Sequence, residues 1–345
     1  MKINNKLKHR IGLCRDYLLG KEEVSFPPIE LIVEATNRCN LNCIMCPREK
    51  IKSAPEDIKL PLFRKIVGEA SNFLELIDFS FRGEPLMNQN IFEMISYAKS
   101  KGIKTYMSTN ANLLDKDASM RLLYSGLDLL EISLDAFSEE TYTKIRRNGD
   151  FNKVINNLEV LLHEKQKIKN NLFVEIGFVP LLENYSQMDN FMSHWKNNPS
   201  INAARIKPFS TRAGLISNPL YNDNIPYKTG FSRNRCVRLW RSLSICSDGT
   251  VLPCCYDFSG NYKLGDLKHQ TIKEIWNGKA LIGLRKQHAG LTSVPLELCS
   301  RCELLRISTT KQSLTFLCSG LNLRKMLARF DKFYRLNKKI KRKEI

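Results

Sequence analysis

The sequence CNLNCIMC, residues 39–46, places three thiols within eight positions, and no further cysteine follows before Cys236. It comes directly after a short apolar run, LIVEAT (31–36), which predicts a strand. In parallel α/β folds, functional sites gather at the C-terminal ends of strands. Three thiolates at that edge can bind three irons of a four-iron cube and leave the fourth iron open to an outside ligand. A catalytic metal site needs such an open position, whereas a structural site avoids it.

The composition is that of an ordinary folded protein, with 345 residues, of which 43% are hydrophobic and 9% aromatic. No stretch approaches the roughly 18 uncharged apolar residues that a membrane span needs. The N-terminal segment is basic, and Arg15 and Asp16 interrupt its apolar residues, so we expect no secretory signal and a cytoplasmic protein. Because that compartment is reducing, eleven cysteines indicate metal ligands or catalytic groups rather than disulfides.

The C-terminus holds much of the excess in the net charge of +19. From Arg324 to the end there are ten basic and two acidic residues. Such a tail can make weak contact with an anionic surface, whether phosphate, nucleic acid or membrane. A solvated helix face would have the same composition, so both interpretations stay open.

Apolar runs alternate with longer amphipathic segments between residues 30 and 208. The runs predict six strands, at 31–36, 76–81, 104–109, 127–135, 172–179 and 201–208. The segments between them predict helices at 61–73, 90–102, 116–126 and 151–166, with Gly102 and Gly126 at helix ends. This alternation predicts an α/β fold with a parallel sheet, and periodicity alone does not decide between an open sheet and a barrel.

The remainder of the chain differs in composition and in its predicted elements. Residues 209–235 are rich in Gly, Pro, Asn and Ser and predict a linker. A hairpin turning at Asp248 and Gly249 follows, and then a helix over 271–287. A last helix is predicted from Leu321 to Ile340.

The spacing CxxxCxxC, with the apolar Met45 before its last cysteine, resembles the signature of radical S-adenosylmethionine (SAM) enzymes. In that family the amino and carboxylate groups of SAM chelate the open iron of a [4Fe–4S] cluster. Reduction then releases a 5′-deoxyadenosyl radical, which takes a hydrogen atom from the substrate. The resemblance covers about residues 30–210 and implies a partial (β/α)6 TIM-like barrel, which agrees with the six predicted strands. A zinc site would be the alternative for three close cysteines considered alone.

Further motifs of the family follow the second, third and fourth strands, as RGEP (82–85), STNA (108–111) and ISLDA (132–136). The resemblance implies that the RGEP backbone holds the SAM amino group with help from Glu84, and that Arg146 pairs with the SAM carboxylate. The full set of SAM-binding residues that it implies is Met45, Gly83, Glu84, Pro85, Ser108, Asn110, Ser133, Asp135, Arg146 and Ile176. For single members such as Ser133, a turn or capping role is the alternative.

A second set, Cys236, Cys254, Cys299 and Cys302, ends in a CxxC and resembles the SPASM/Twitch extension of radical SAM enzymes. Ser308 stands where the longer SPASM form has another cysteine, so we expect the Twitch form with one auxiliary [4Fe–4S] cluster. Four thiolates close that cluster, which can then only exchange electrons. Cys255 remains an alternative ligand to Cys254. The implied organisation is an N-terminal extension (1–29), a barrel (30–208), a linker (209–235), an auxiliary domain (236–320) and a basic helix or tail (321–345).

Apart from Cys14, the thiols left over are Cys246, Cys255 and Cys318, and each is either a buried structural residue or a hydrogen-atom donor to a substrate radical. Cys318 ranks first as donor, because its region could fold back over the barrel mouth. All five histidines are interpreted as ordinary surface or packing residues, since none fits a ligand pattern.

The Twitch resemblance implies oxidation or epimerisation of a secondary alcohol in a sugar or aminocyclitol, with an external one-electron reductant such as flavodoxin or ferredoxin. The first alternative is maturation of a ribosomal peptide. Such enzymes often carry a peptide-binding module of roughly eighty residues, and only about 30 residues precede the first strand here, so a separate partner would have to supply it. The second is a non-enzymatic iron–sulfur or nucleic-acid-binding protein, for which the tail has few aromatic residues.

Overall fold

The computed structural model describes residues 5–220, 235–290, 297–306 and 309–316. Cys318, Ser308 and the predicted basic helix from Leu321 lie outside these ranges, as does most of the predicted linker. Within the described residues, no helix is both long enough and apolar enough to cross a membrane.

Strands and helices alternate along the described chain. The strands are β1 (Glu30–Val33), β2 (Asn42–Cys43), β3 (Leu76–Asp78), β4 (Lys104–Thr109), β5 (Leu129–Ser133), β6 (Arg146–Arg147), β7 (Phe173–Phe178), β8 (Ala203–Ile206), β9 (Ser242–Ile245), β10 (Thr250–Leu252) and β11 (Gly265–Asp266). The α-helices are α1 (Asn5–Leu19), α2 (Leu60–Ala70), α3 (Ile91–Ser100), α4 (Lys116–Ser125), α5 (Glu139–Ile145), α6 (Phe151–Lys167), α7 (Met188–Lys196), α8 (Ile272–Trp276), α9 (Lys279–Ala289), α10 (Glu297–Ser300) and α11 (Thr309–Ser313).

The predicted α/β class is confirmed, and all six predicted strands are present as β1, β3, β4, β5, β7 and β8. Each pairs in parallel with the next in that order. In the described residues, two more paired strands and the edge strand β11 extend the sheet to the order β11-β10-β9-β1-β3-β4-β5-β7-β8, with free edges at β11 and β8. The four predicted helices are α2, α3, α4 and α6, and Gly126 ends α4 with φ 80°. Helices α1, α5, α7, α10 and α11 were not predicted.

Alternate residues of each strand face the helices or the interior of the curved sheet. On β7, Val174 and Ile176 are fully buried in the main hydrophobic core, together with residues of the surrounding helices. Phe173, one position away, belongs instead to a small interior cluster. Polar residues share that interior face with it, among them the fully buried Glu131 of β5. The interior near the strand ends is therefore polar, which suits a reactive cavity rather than a packed core.

The C-terminal part adds to the first strand rather than standing apart, because β9 pairs in parallel with β1. The predicted hairpin is present between β9 and β10, and Gly249 takes φ 90° at its turn. Strand β11 continues it antiparallel to β10. The single helix predicted over 271–287 is divided into α8 and α9, because Asn277 and Gly278 cap the two ends instead of continuing the helix.

Candidate active site

A cavity of about 420 Å³ opens at the C-terminal ends of the strands. The three thiols of the 39–46 loop line it. The structure brings to the same cavity eight of the predicted SAM-binding residues, namely Met45, Gly83, Glu84, Ser108, Asn110, Ser133, Asp135 and Arg146. Segments distant in the chain thus converge here because parallel strands end at a common edge.

The cysteine loop is held by backbone contacts. The Cys46 N–H donates to the Cys43 carbonyl at 3.1 Å, and Arg48 donates to the carbonyls of Cys39 and Leu41. Strand β2, which contains Cys43, pairs antiparallel with β6, so Cys43 lies opposite Arg146. Burial raises the pKa of the Cys46 thiol to about 11. A bound cation is therefore what would bring these thiols into their thiolate form.

Gly83 is required where the RGEP segment crosses the start of this loop. Its φ is +73°, and a Cβ atom there would lie 2.2 Å from the Thr36 carbonyl oxygen. The next residue, Glu84, donates its N–H to the Arg38 carbonyl at 2.8 Å. A side chain at position 83 would thus push apart two backbone segments that border the cavity.

Glu84 is 3% exposed, and its carboxylate is occupied by protein donors. It accepts hydrogen bonds from Thr109 Oγ1 at 2.6 Å and from the Asn110 N–H at 2.8 Å. Burial raises its pKa, although these hydrogen bonds favour the charged form. In this arrangement Glu84 fixes the end of β4 and sets Asn110, whose Nδ2 donates to Asn40 Oδ1 at 2.9 Å.

Arg146 lies between a carboxylate and a loop cysteine. Its Nη2 donates to Asp135, and its Nη1 lies 3.8 Å from Cys43 Sγ. Burial disfavours the charge, yet the Asp135 carboxylate holds the pKa of Arg146 above its usual value. The second Asp135 oxygen accepts from the Val179 N–H at 2.7 Å. Within the described residues Arg146 Nε is buried without a hydrogen-bond partner, so it can donate to a bound carboxylate.

The two predicted serines meet on the interior face. Ser108 Oγ and Ser133 Oγ are 2.9 Å apart, and Ser108 also donates to Glu131 at 3.1 Å. Glu131 forms an ion pair with Lys207, whose charge lowers the carboxyl pKa even though burial opposes this. The serines are thus one side of a charged network below the cavity, and their hydroxyls can reorient towards a ligand.

Two members of the predicted set are placed differently. Ile176 faces the helices and is fully buried in the core, so it does not line the cavity. Pro85 begins a short 3₁₀ turn and is buried beneath the cavity-lining Gly83 and Glu84. Met45 belongs to a small apolar cluster that also contains Val179, the residue directly after β7. Both residues line the cavity.

A second, smaller cavity of about 20 Å³ is lined by all four cysteines of the second set, Cys236, Cys254, Cys299 and Cys302. No three Cys, His, Asp or Glu side chains in the described part of the chain are arranged to hold a single metal ion. Four thiols around one apolar cavity suit a cluster, whose irons separate its ligands more widely. Arg238 and Tyr256 line both cavities and so form the partition between them.

Adjacent cysteines face opposite sides of this partition. Cys254 lines the small cavity, and Cys255 lines the large one. Cys246 is 4% exposed and lies 3.0 Å from Arg82 Nη2, but it does not line the large cavity. The higher-ranked thiol, Cys318, lies outside the described residues.

His288, predicted to be an ordinary surface or packing residue, lies beside a predicted ligand of the auxiliary cluster. It lines the small cavity, with its Nε2 3.4 Å from Cys299 Sγ. Burial lowers its pKa to about 4. The neutral ring can donate one hydrogen bond to a thiolate, which is a common way to tune a cluster. No sequence pattern connects it to the cysteines, because it reaches them through the fold of α9.

Comparison with known proteins agrees with this division. Residues 33–192 match the model of the Radical SAM superfamily, and residues 236–303 match that of an iron–sulfur cluster-binding domain, SPASM. Among curated relatives, a GTP 3′,8-cyclase of Clostridium botulinum (strain Hall) is 33% identical over 58% of this chain and 66% of its own length. The chain spans about half to two thirds of the curated relatives it matches.

Solved structures show the same fold at low identity. BtrN in complex with AdoMet and 2-DOIA is 19% identical, with a TM-score of 0.54 over 80% of this chain and 93% of BtrN. Streptococcus suis SuiB, bound to its precursor peptide SuiA, is 18% identical, with a TM-score of 0.61 over 87% of this chain and 74% of SuiB. These neighbours fit a partial TIM barrel with a C-terminal SPASM domain.

The first family model contains the three-cysteine loop and the second contains the four auxiliary cysteines. The former domain implies a [4Fe–4S] cluster with SAM, and the latter implies auxiliary iron–sulfur binding. The two cavities fit these cofactors, since one joins three thiols to an unpartnered buried guanidinium nitrogen and the other is lined by four thiols. The chain therefore belongs to the radical SAM superfamily, as a member with a C-terminal iron–sulfur cluster-binding domain.

Proposed function

We propose that this chain epimerises a secondary alcohol carbon of a sugar or aminocyclitol, with Cys255 as the hydrogen-atom donor. The observation that carries the proposal is the division of two neighbouring cysteines. Cys254 lines the small cavity of the cluster ligands, while Cys255 lines the large one beside the three-cysteine loop. Cys255 is 8% exposed, so the thiol is shielded from bulk water yet borders the space for substrate.

In the large cavity, Cys39, Cys43 and Cys46 would hold the first cluster, and the buried Nε of Arg146 would donate to the SAM carboxylate. Met45 and its apolar neighbours would contact adenine. Asp135 would act mainly by orienting Arg146, because both of its oxygens already accept hydrogen bonds. When bound and reduced, the cluster and SAM supply a 5′-deoxyadenosyl radical that takes a hydrogen atom from substrate, and the auxiliary cluster supplies a site for single electrons.

A second group of lining residues would hold the substrate. These are Phe81, Tyr256, Phe258, Arg212 and Arg238. Alternating aromatic faces and guanidinium groups suit a ring with hydroxyl substituents, because apolar C–H faces pack on aromatic rings while oxygens accept hydrogen bonds.

Cys255 would then transfer its thiol hydrogen atom to the opposite face of the substrate carbon radical, which inverts that carbon. The S–H bond breaks, a C–H bond forms, and one unpaired electron remains on sulfur. One electron and one proton restore the thiol. An external one-electron reductant such as flavodoxin or ferredoxin would supply that electron, and solvent would supply the proton.

The test is product analysis in deuterated water with a panel of sugar and aminocyclitol alcohols. We expect an inverted product carrying one solvent deuteron at the inverted carbon, because a thiol exchanges its hydrogen with solvent. Cys255→Ala should still form 5′-deoxyadenosine and give no inverted product. Cys246→Ala is the matched control and should keep inversion, since that thiol does not line the cavity.

A ketone product without deuterium, unchanged in Cys255→Ala, would establish a dehydrogenase instead. Inversion that survives the loss of Cys255 would disprove its role. Modification of a ribosomal peptide, with all the small alcohols left unchanged, would favour the peptide-maturing alternative.

A further prediction concerns His288. Replacement of His288 by Phe, which keeps an aromatic ring but removes the donor, should lower the reduction potential of the auxiliary cluster, because hydrogen bonds to ligand sulfurs stabilise the reduced state. Potentiometric titration followed by electron paramagnetic resonance measures this shift. His269→Phe, outside the small cavity, is the control. Equal auxiliary-cluster potentials in His288→Phe and wild-type protein would contradict the contact.

A further inference from the structure

Two arginines, Arg212 and Arg238, line the large cavity together with the predicted SAM-binding residues. Arg212 follows β8 on a tightly held turn. Glu303 accepts hydrogen bonds from Ser210 Oγ at 2.8 Å and from Thr211 Oγ1 at 3.0 Å. Arg212 itself takes φ 50°, so its side chain is presented by a constrained backbone.

Three other cations that line this cavity have acidic partners, whereas a fourth, Arg48, donates to the carbonyls of Cys39 and Leu41. Arg82 pairs with Glu34, Arg146 with Asp135, and Lys207 with Glu131, each in a salt bridge. Neither Arg212 nor Arg238 has a carboxylate within salt-bridge distance among residues 5–220, 235–290, 297–306 and 309–316. A guanidinium group on a cavity wall without a counter-ion is free to bind an anion, so such a pair indicates an anionic ligand.

Both guanidinium groups lie against the ring of Tyr256. The distance from the ring centroid is 5.8 Å for Arg212 and 5.5 Å for Arg238. Arg212 is also 5.8 Å from the ring of Phe258. The aromatic wall thus limits the directions in which the two planar donors can point, and planar paired donors match the oxygens of a phosphate group.

The two arginines differ in what else they face. Arg238 also borders the auxiliary-cluster cavity, and burial disfavours its charge, whereas nearby thiols including Cys255 and Cys254 raise its pKa. Part of its charge would therefore balance the auxiliary cluster. Arg212 lines the large cavity and not the small one. Because it does not border the auxiliary-cluster cavity, Arg212 would be the principal anion ligand.

We propose that Arg212, assisted by Arg238, forms a subsite for a phosphate group of the substrate. The substrate class would then be a phosphorylated sugar or cyclitol, either a sugar phosphate or a nucleotide-linked sugar. This inference rests on the proposed function only for the sugar or cyclitol part of the substrate. The phosphate subsite is argued from the two guanidinium groups themselves.

The test is calorimetric binding to the anaerobic, cluster-loaded protein in the presence of SAM, without reductant. The probes are glucose 1-phosphate, UDP-glucose, inorganic phosphate and glucose. We expect binding of the phosphate-bearing probes, weakened about ten- to a hundredfold in Arg212→Gln, as for loss of a charged hydrogen bond. Tighter binding of UDP-glucose than of glucose 1-phosphate would identify a nucleotide-linked substrate, and the reverse a sugar monophosphate.

Arg121→Gln is the matched control, because Arg121 also lies over an aromatic ring, Phe92 at 4.3 Å, but outside the cavity. Its affinities should equal those of wild type. Equal affinity in Arg212→Gln and wild type, or no binding of any phosphate probe, would overturn the subsite. Preferential binding of an oligoglutamate peptide would do the same. These readouts need no turnover, so a failure of epimerisation is detected separately by the deuterium experiment.

Discussion

A variant with alanine at Cys39, Cys43 and Cys46 is expected to lose half of its iron and all cleavage of SAM. Anaerobically reconstituted wild-type protein should hold about eight irons, in two cubes of four. The three thiols line the large cavity only, whereas the four auxiliary thiols line another cavity behind Arg238 and Tyr256. Because the two ligand sets share no residue, about four irons should remain in the variant. Iron analysis and chromatography of 5′-deoxyadenosine measure the two effects.

The control is a variant with alanine at Cys14 and Cys246, which removes two cysteines that line neither cavity. It should keep about eight irons and its SAM cleavage. A triple variant that retains all of its iron would show that the three-cysteine loop is not a cluster site. Loss of all iron would show that the auxiliary site depends on the first cluster.

The strands and the cysteine loop could be predicted from sequence because their signals are local. Apolar runs between amphipathic segments identified β1 to β8, apart from the two-residue strands β2 and β6. Those two are fixed by a long-range contact, the pairing of Cys43 with Arg146. Helix α1 was missed for a similar reason, since its apolar stripe is weak and Tyr17 is buried through contacts with Trp240 and Phe316.

The placement of Ile176 could have been predicted from strand periodicity. Interior and exterior positions alternate, so Glu175 and Gly177 share one face of β7 while Ile176 shares the other with Val174 and Phe178. Buried acids such as Glu131 lie on the interior face. They show which of the two alternating sets of strand residues faces the cavity. Motif matching assigned Ile176 to the strand correctly, but it did not take this alternation into account.

The choice between Cys254 and Cys255 could not be predicted, because both follow β10 in an irregular turn. The turn is set by contacts such as the Asp257 N–H donating to the Cys254 carbonyl at 3.2 Å. His288 was equally inaccessible to sequence reasoning, since it depends on how α9 packs against the CxxC segment. The positions of single residues near a cluster thus depend on tertiary packing, whereas the spacing of the ligands is visible in the local sequence.

The second large effect is expected for Arg82→Met, which should lower the free energy of unfolding by about 3–5 kcal/mol. Arg82 and Glu34 form an ion pair whose side chains are 2% and 0% exposed. Glu34 also accepts from the Ser247 N–H at 2.8 Å, and Arg82 donates to the Phe258 carbonyl at 3.1 Å. The pair therefore ties the end of β1 and the RGEP segment to the C-terminal hairpin.

The cost arises because removal of one partner leaves the other charge buried. In Arg82→Met, the donors left to Glu34 among the described residues are those of Ser247, which cannot replace a bidentate guanidinium. Denaturant unfolding followed by fluorescence measures the change. The matched control is Arg64→Met, which breaks the Arg64–Glu93 pair, where both side chains are about half exposed. That variant should stay within roughly 0.5 kcal/mol of wild type.

A double variant, Arg82→Met with Glu34→Met, separates the cost of an unpaired charge from the cost of lost packing. If the unpaired carboxylate dominates, the double variant should be more stable than Arg82→Met alone, because no charge is left buried. Additive losses in the double variant, or an Arg82→Met change as small as that of Arg64→Met, would contradict this explanation. Since Gly83 follows Arg82 directly and packs on the Thr36 backbone, the destabilised single variant should also lose SAM affinity. Recovery of that affinity in the double variant would show that the ion pair positions the RGEP segment mainly by keeping the two charges neutralised.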